Sequence, residues 1–218
     1  SSSDARVSHE HFGHVAALLC ASLWAVSTVL FGAAAKSVDA RALNLLKCGI
    51  GAVLLGGTSL ALHDVPAFSP RDAAALSVSA VLGIVVADTG YFVALQELGA
   101  SRGVLFIALV PVCTALFAVP VLDEALTLQH VAGMLVTLAG VVVVVRGRVA
   151  GAGRGRVVVG VVGGVLYCTS QALANVLTKS TDASLSPLAL STFRFIVGAA
   201  VLAAILASTK KGRADVVA

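Results

Sequence analysis

Three ionisable side chains, Lys47, Asp88 and Arg194, lie inside long apolar stretches of this sequence. A charged side chain within a hydrocarbon layer costs about 2.5–3.5 kcal/mol by insertion scales, so each should face a partner or water. Lys47 lies early in its stretch and Asp88 late in the next, which places them at similar depth if both stretches cross a membrane. One interpretation is a structural ion pair between neighbouring helices. The other is a cavity in which Asp88 carries a proton while Lys47 moves.

Polar side chains recur at short helical spacings in two other apolar stretches, which aligns them on one helix face. The first group is Trp24, Ser27 and Thr28, and the second is Tyr167, Ser170, Gln171, Asn175 and Thr178. Two such stripes predict either a shared polar cavity or hydrogen bonds between helices. Arg194 also has two interpretations: its side chain extends to the membrane interface, or it binds an anionic group.

The elements that must position these residues are membrane helices. Hydrophobic residues make up 58% of the 218 residues and charged residues 12%, against about 25% charged in a soluble domain. Each apolar stretch is long enough to cross a hydrocarbon layer of about 30 Å as a helix. The sequence therefore predicts an all-α integral membrane protein with seven transmembrane helices, at residues 15–35, 42–62, 73–95, 104–122, 126–145, 157–178 and 188–207.

Several function classes are disfavoured. The basic residues lie mostly at the ends of apolar stretches, as in membrane proteins, so the pI of 9.1 does not indicate nucleic-acid binding. We find no P-loop, no GxGxxG after a strand and no HExxH, and we expect neither enzyme activity nor a cofactor. His9, His11 and His14 lack an acid or cysteine at ligand spacing, so we expect no metal site. The expected partners are the lipid bilayer and a small-molecule substrate.

Pro111 lies near the middle of the fourth stretch. Proline removes a backbone hydrogen bond, which a membrane helix tolerates where protein or water satisfies the freed carbonyl. We therefore predict a bend at Pro111 that faces protein or water. The polar pair Asp123 and Glu124 predicts the turn into the fifth helix.

The sixth and seventh stretches resemble the first and second. Trp24 precedes the segment KSVDA (36–40) by twelve residues, and Tyr167 precedes KSTDA (179–183) by the same distance; after a four-residue insertion, Lys47 matches Arg194. Five crossings separate the two copies, and because five is odd the second copy must be inverted in the membrane. Inverted repeats are typical of secondary transporters, which bind substrate at the repeat interface.

The repeat predicts the domain organisation. Residues 1–14 form a polar N-terminal tail, which we expect to be flexible, and residues 15–145 form a first repeat of five helices. A glycine-rich basic linker follows at 146–156, and residues 157–218 begin a second repeat with two helices. We expect three more helices to complete that repeat.

The sequence resembles the EamA family of the drug/metabolite transporter superfamily. The resemblance rests on the aromatic residue in LLCASLWAVSTV, the basic residue in LNLLKCGIGAVLL, and Pro111, Glu124, Gly133 and Gly140. It departs from the family at Lys47, where arginine is more frequent, and at Asp88. The resemblance implies a ten-helix transporter of two five-helix repeats.

We therefore expect a secondary transporter, an exporter or exchanger of a small polar metabolite, in the plasma membrane, which for a bacterium is the inner membrane. Helices 1, 3, 4 and 6 would line the path, and a proton is the candidate coupling ion. The alternative is a non-transporting helical membrane protein or a truncated assembly piece. Substrate-path candidates are Trp24, Thr28, Lys47, Asp88, Tyr91, Pro111, Tyr167, Gln171 and Asn175.

The membrane orientation has two predictions. Outside the apolar stretches, three basic residues fall on the N-terminal side of the membrane and ten on the other side. The positive-inside rule then places the N-terminus outside. The family resemblance implies that it lies inside.

Overall fold

The computed structural model describes residues 2–122, 127–146, 154–182 and 184–208, and every regular element within these ranges is helical. The helices in these ranges are α1 (Ser2–Ala34), α2 (Ala40–Ala61), α3 (Pro70–Leu98), α4 (100–122), α5 (Leu128–Arg146), α6 (Arg154–Lys179) and α7 (Pro187–Ser208). The predicted turn at Asp123 and Glu124, most of the linker and the C-terminal residues 209–218 lie outside the described residues.

Six of the described helices are long and apolar enough to cross a membrane, and the apolar part of α5, Leu128–Val143, is shorter. The prediction of an all-α, multi-pass membrane protein is confirmed. Predicted helix ends agree with the observed ones within four residues, except at the start of α1. That helix begins at Ser2, so residues 2–14 continue α1, and the flexibility expected of this segment stays a prediction.

The connections between helices use conventional caps. Asp39 accepts a hydrogen bond from the Arg41 backbone N–H at 2.9 Å, at the start of α2. Ser186 accepts one from the Ala189 N–H at 3.0 Å, at the start of α7. Gly99 joins α3 to α4 with φ of 80°, a backbone conformation that glycine adopts without a Cβ penalty. The turn between α3 and α4 is therefore a single residue long.

Two helices depart from α geometry. Within α3, the segment Val81–Ala87 is a π-helix that ends immediately before Asp88. Within α4, the segment Val104–Leu109 is a 3₁₀-helix that ends just before Pro111. The Val110 N–H bonds to the Ile107 carbonyl, three residues back. Proline has no backbone N–H and cannot donate to the carbonyl four residues back. The 3₁₀ turn before Pro111, with hydrogen bonds to the carbonyl three residues back, is consistent with this missing donor.

Helices α3 and α6 pack antiparallel with their backbones close together. A Cβ on Gly163 would lie 2.8 Å from the Gly90 carbonyl oxygen, and one on Gly90 would lie 2.7 Å from the Gly163 oxygen. Ser79 Oγ donates to the Ala174 carbonyl at 2.9 Å near one end of this contact. Only glycine permits this approach, because any side chain would collide with a carbonyl.

Helices α2 and α7 also pack antiparallel: Gly51 faces the ring of Phe195, and Gly56 faces Thr192. This is the direction expected for an even and an odd crossing in one membrane. Gly160 and Gly164 of α6 also abut side chains of neighbouring helices. At Gly133 and Gly140 the described residues place nothing within 4 Å of a Cβ, so no such packing is seen there.

Candidate functional site

A cavity of about 700 Å³ lies between the helices, and we call it the central cavity. Six helices contribute to its lining: α1, α2, α3, α4, α6 and α7. The polar, charged and aromatic residues among its lining are Trp24, Ser27, Thr28, Phe31, Lys47, Asp88, Tyr91, Phe92, Tyr167, Gln171, Ser191, Arg194 and Phe195. The four helices expected to line a path, 1, 3, 4 and 6, are all present, and α2 and α7 add the two basic residues.

The central cavity brings together eight of the nine residues singled out from the sequence: Trp24, Thr28, Lys47, Asp88, Tyr91, Pro111, Tyr167 and Gln171. Asn175 is the exception, because it lines a separate cavity of about 410 Å³. It remains linked to the central cavity through Gln171, whose Nε2 donates to Asn175 Oδ1 at 3.0 Å. Whether these residues contact a substrate stays a prediction.

Lys47 and Asp88 form an ion pair in the cavity wall, in which Lys47 Nζ donates to Asp88 Oδ2. Each side chain is 20% exposed. The ammonium also lies 5.9 Å from the ring centroid of Phe92 and 5.6 Å from that of Phe195. At these distances the ring faces attract a cation. The carboxylate neutralises the charge of Lys47, and the two rings help to hold its ammonium between α3 and α7.

The π segment of α3 positions Asp88. Asn44, which is fully buried on α2, donates from Nδ2 to the Ile84 carbonyl at 2.7 Å and to Thr89 Oγ1 at 3.1 Å. Ile84 lies within the π segment, and Thr89 follows Asp88. Asn44 and Lys47 are three residues apart on α2 and therefore share one face of that helix. One face of α2 thus contacts both parts of α3: Asn44 bonds to the π segment, and Lys47 pairs with Asp88 immediately after it.

Tyr91 connects α1 to α6 across the cavity. Its hydroxyl lies 3.2 Å from Thr28 Oγ1, and its ring centroid lies 5.0 Å from that of Tyr167. The ring of Phe92, the next residue, lies 5.2 Å from that of Phe31. Aromatic pairs at these distances attract each other beyond simple area burial. The two alternatives for the polar stripes are therefore both realised: the stripes line a cavity and they hydrogen-bond between helices.

Arg194 lines the central cavity, which favours the interpretation that it binds an anionic group over the interpretation that it extends to the membrane interface. Its Nη2 lies beside Gly83 of the π segment, where a Cβ would come within 2.6 Å. Its Nε is buried and has no hydrogen-bond partner among the described residues. Asp88 interacts with it electrostatically. In the described chain no carboxylate lies within ion-pair distance of Arg194.

Sequence reasoning missed Asn44, Ser191 and Phe195. Asn44 is an amide inside an apolar helix at a helical spacing from Lys47, and that pattern was readable in the sequence. Ser191 lies three residues before Arg194, on the same face of α7, and was also readable. Phe195 gave no signal, since a phenylalanine in an apolar helix usually faces lipid or other helices.

Comparisons with known proteins agree with this architecture. Residues 11–146 match the family model described as the EamA-like transporter family. The chain is 30% identical over 132 residues to an uncharacterized transporter of Archaeoglobus fulgidus, an alignment that covers 60% of this chain and 46% of that protein. The chain thus aligns with less than half the length of this relative. No solved structure matches the chain significantly. Because the family match covers more than half of the sequence and contains Trp24, Lys47, Asp88 and Pro111, the chain belongs to the EamA-like transporter family.

Proposed function

We propose that this protein is a secondary transporter that moves a small polar metabolite across the plasma membrane by alternating access, as an exporter or exchanger. One observation carries the proposal. Residues that the sequence repeat relates to each other, Trp24 with Tyr167 and Lys47 with Arg194, line the same cavity. A site built from both copies of an inverted repeat is the arrangement that secondary transporters use.

The chemistry of the cavity supports a polar substrate. A bilayer-spanning protein that needed no polar ligand would gain from an apolar interior, since each buried charge is costly. This cavity instead contains three charged side chains, Lys47, Asp88 and Arg194, together with hydroxyl and amide groups. These groups could replace the hydration shell of a small solute that leaves water.

Counterflow in proteoliposomes tests the proposal. Vesicles containing the full chain are preloaded with an unlabelled metabolite and supplied with a trace of the same metabolite in labelled form, across a panel of small polar metabolites. A carrier that alternates access accumulates label transiently above equilibrium, whereas a channel or a non-transporting scaffold does not. Overshoot for a member of the panel is expected; equilibration without overshoot, or no uptake of any member, contradicts the proposal.

The same assay tests Asp88 as the group that couples transport to protons. The titratable or charged groups that interact with it are Lys47, Cys48, Tyr91, Tyr167 and Arg194. Protonation of Asp88 would break its pair with Lys47 and leave two cations in the cavity. Proton binding would thus change the net charge of the cavity in which a substrate binds. Asp88→Asn is expected to abolish the pH dependence of transport.

Asp72→Asn is the matched control. Asp72 lies in the first turn of α3, outside the central cavity, where it accepts a hydrogen bond from Ser69 Oγ at 2.6 Å. This variant should keep the pH profile of the unmodified protein. An unchanged profile in Asp88→Asn would reject the coupling role and leave the transport proposal standing.

A further inference from the structure

We infer that the central cavity binds a small organic monoanion, whose negative group is held by Arg194. This inference rests on the proposed function and adds a substrate class to it. Three observations carry it: the charge balance of the cavity, the unsatisfied donor on Arg194 and the distribution of aromatic residues.

The described lining of the central cavity carries one positive charge in excess. Lys47 and Asp88 neutralise each other as an ion pair, and Arg194 has no such partner among the described residues. An arginine in the low-dielectric interior of a membrane protein is unfavourable unless its charge is compensated. A ligand with a single negative charge would bring the sum of these charges to zero.

The donors of Arg194 are available to such a ligand. The guanidinium group carries five N–H donors in a planar fork that matches the two oxygens of a carboxylate. The Nε donor is buried without a partner, and a buried unsatisfied polar group costs about 1–3 kcal/mol. Ser191, three residues earlier on α7, adds a hydroxyl to the same wall. Arg194 is thus a donor group without a complementary acceptor in the described chain.

Gly83 keeps Arg194 in this position. A Cβ there would come within 2.6 Å of Arg194 Nη2 and 2.9 Å of the Ala174 Cβ. Because residue 83 is glycine, the guanidinium lies directly against the π segment of α3. Helices α3, α6 and α7 meet at this point. A longer residue at 83 would displace the cation.

The aromatic residues define the rest of the ligand. The single tryptophan of the chain and both of its tyrosines line this cavity, together with Phe31, Phe92 and Phe195. Aromatic walls beside a small cluster of charged side chains suit a ligand with an apolar frame and one polar end. The expected ligand class is therefore a carboxylate on a hydrocarbon or aromatic frame.

Trp24 offers a direct readout, because it is the single tryptophan in the chain and lies in the cavity wall. The full chain in lipid nanodiscs is titrated with hydrocinnamate and its neutral isostere hydrocinnamide, and with the cation phenethylamine, while tryptophan fluorescence is recorded. Hydrocinnamate is expected to bind at least about tenfold more tightly than hydrocinnamide, since hydrogen bonds to charged groups discriminate by this amount or more. Phenethylamine should bind most weakly.

Arg194→Gln is expected to remove the preference for hydrocinnamate over hydrocinnamide. Arg71→Gln, which changes an exposed arginine in the first turn of α3, is the matched control and should retain it. Asp88→Asn should increase the affinity for hydrocinnamate, because it raises the excess charge of the cavity from one to two. If Arg194→Gln does not fold, Arg194→Lys replaces it and should reduce the preference, since lysine retains the charge without the planar fork.

Three results would overturn the inference: equal binding of hydrocinnamate and hydrocinnamide, an unaltered preference in Arg194→Gln, or no binding of hydrocinnamate by the unmodified protein. Binding and counterflow separate this inference from the proposed function. An Arg194-dependent preference without counterflow would refute transport and keep the anion site. Counterflow of a neutral metabolite that is unaffected by Arg194→Gln would support transport and refute the anion site.

Discussion

The helices α1 and α2 carry the same sequence pattern as α6 and α7, and yet the two pairs hold their matching residues in different environments. Trp24 on α1 is 51% exposed, whereas Tyr167 on α6 is 4% exposed. Lys47 on α2 has a carboxylate and two aromatic rings around it, whereas Arg194 on α7 has neither an ion pair nor a hydrogen bond within the described chain.

The difference originates in α3, which packs against both pairs. Its Asp88 is the only acid among the described residues that line the central cavity, and it pairs with the residue from α2. Its Gly90 packs directly against α6. The repeated pattern therefore places both Lys47 and Arg194 at the cavity. Helix α3, which belongs to the first copy, supplies the acid that neutralises Lys47 and not Arg194.

The largest expected effect tests the asymmetry between the two cations. Asp88→Asn leaves Lys47 and Arg194 facing each other across the cavity without an acid, so we expect the free energy of unfolding to fall by about 3 kcal/mol. Lys47→Gln should destabilise less, because Asp88 can then interact with Arg194. Unfolding in mixed micelles measures both. Equal losses in the two variants would show that Arg194 does not sense Asp88.

A smaller effect tests the difference in packing between α1 and α6. Gly163 on α6 corresponds to Cys20 on α1, which is exposed. Gly163→Leu would force a side chain into the Gly90 carbonyl and should cost about 2 kcal/mol, the usual range for overpacking. Cys20→Leu should leave the unfolding free energy nearly unchanged. The same unfolding assay compares them, and a loss in Cys20→Leu as large as that in Gly163→Leu would contradict the contrast.

The smallest effect concerns the aspartates of the two KSxDA segments. Asp39 caps α2, and Asp39→Ala should cost about 1 kcal/mol. Asp182 occupies the matching place but accepts from the Ser184 backbone N–H at 2.8 Å in the connecting turn, because the insertion separates it from α7. This hydrogen bond lowers the pKa of Asp182 below its ordinary value. Asp182 is fully exposed, so Asp182→Ala should have the smaller effect on unfolding.

The sequence predicted the depth of residues along their helices better than their direction around the helix axis. Lys47 and Asp88 meet because both are charged, which is costly in lipid, and because they lie at matching depth. Residue type gives the first fact and position along the chain gives the second. Asn175 shares a stripe with Gln171 but lies outside the central cavity, because the packing of α6 against its neighbours decides which part of the stripe reaches it.

Arg194 and the π segment were less accessible to sequence reasoning. The orientation of Arg194 depends on the space that Gly83 leaves on another helix, a contact between residues far apart in sequence. The π segment has no sequence signal of its own, since the apolar run Val81–Ala87 is equally compatible with an α-helix. Its wide turn is supported from outside by Asn44, which again is a tertiary contact.

The π segment also fixes the rotational phase of the second half of α3. A π-helix of this length holds about one residue more than an α-helix of equal turns, and one residue corresponds to a rotation of about 100°. Ser79 before the segment points to α6, and Asp88 after it points to α2. Deleting one residue from Val81–Ala87 would straighten the helix and swing the acid away from its lysine while the upstream half kept its neighbour. The extra residue thus sets the rotation of α3 that brings Asp88 to Lys47 of α2 and Gly90 to Gly163 of α6.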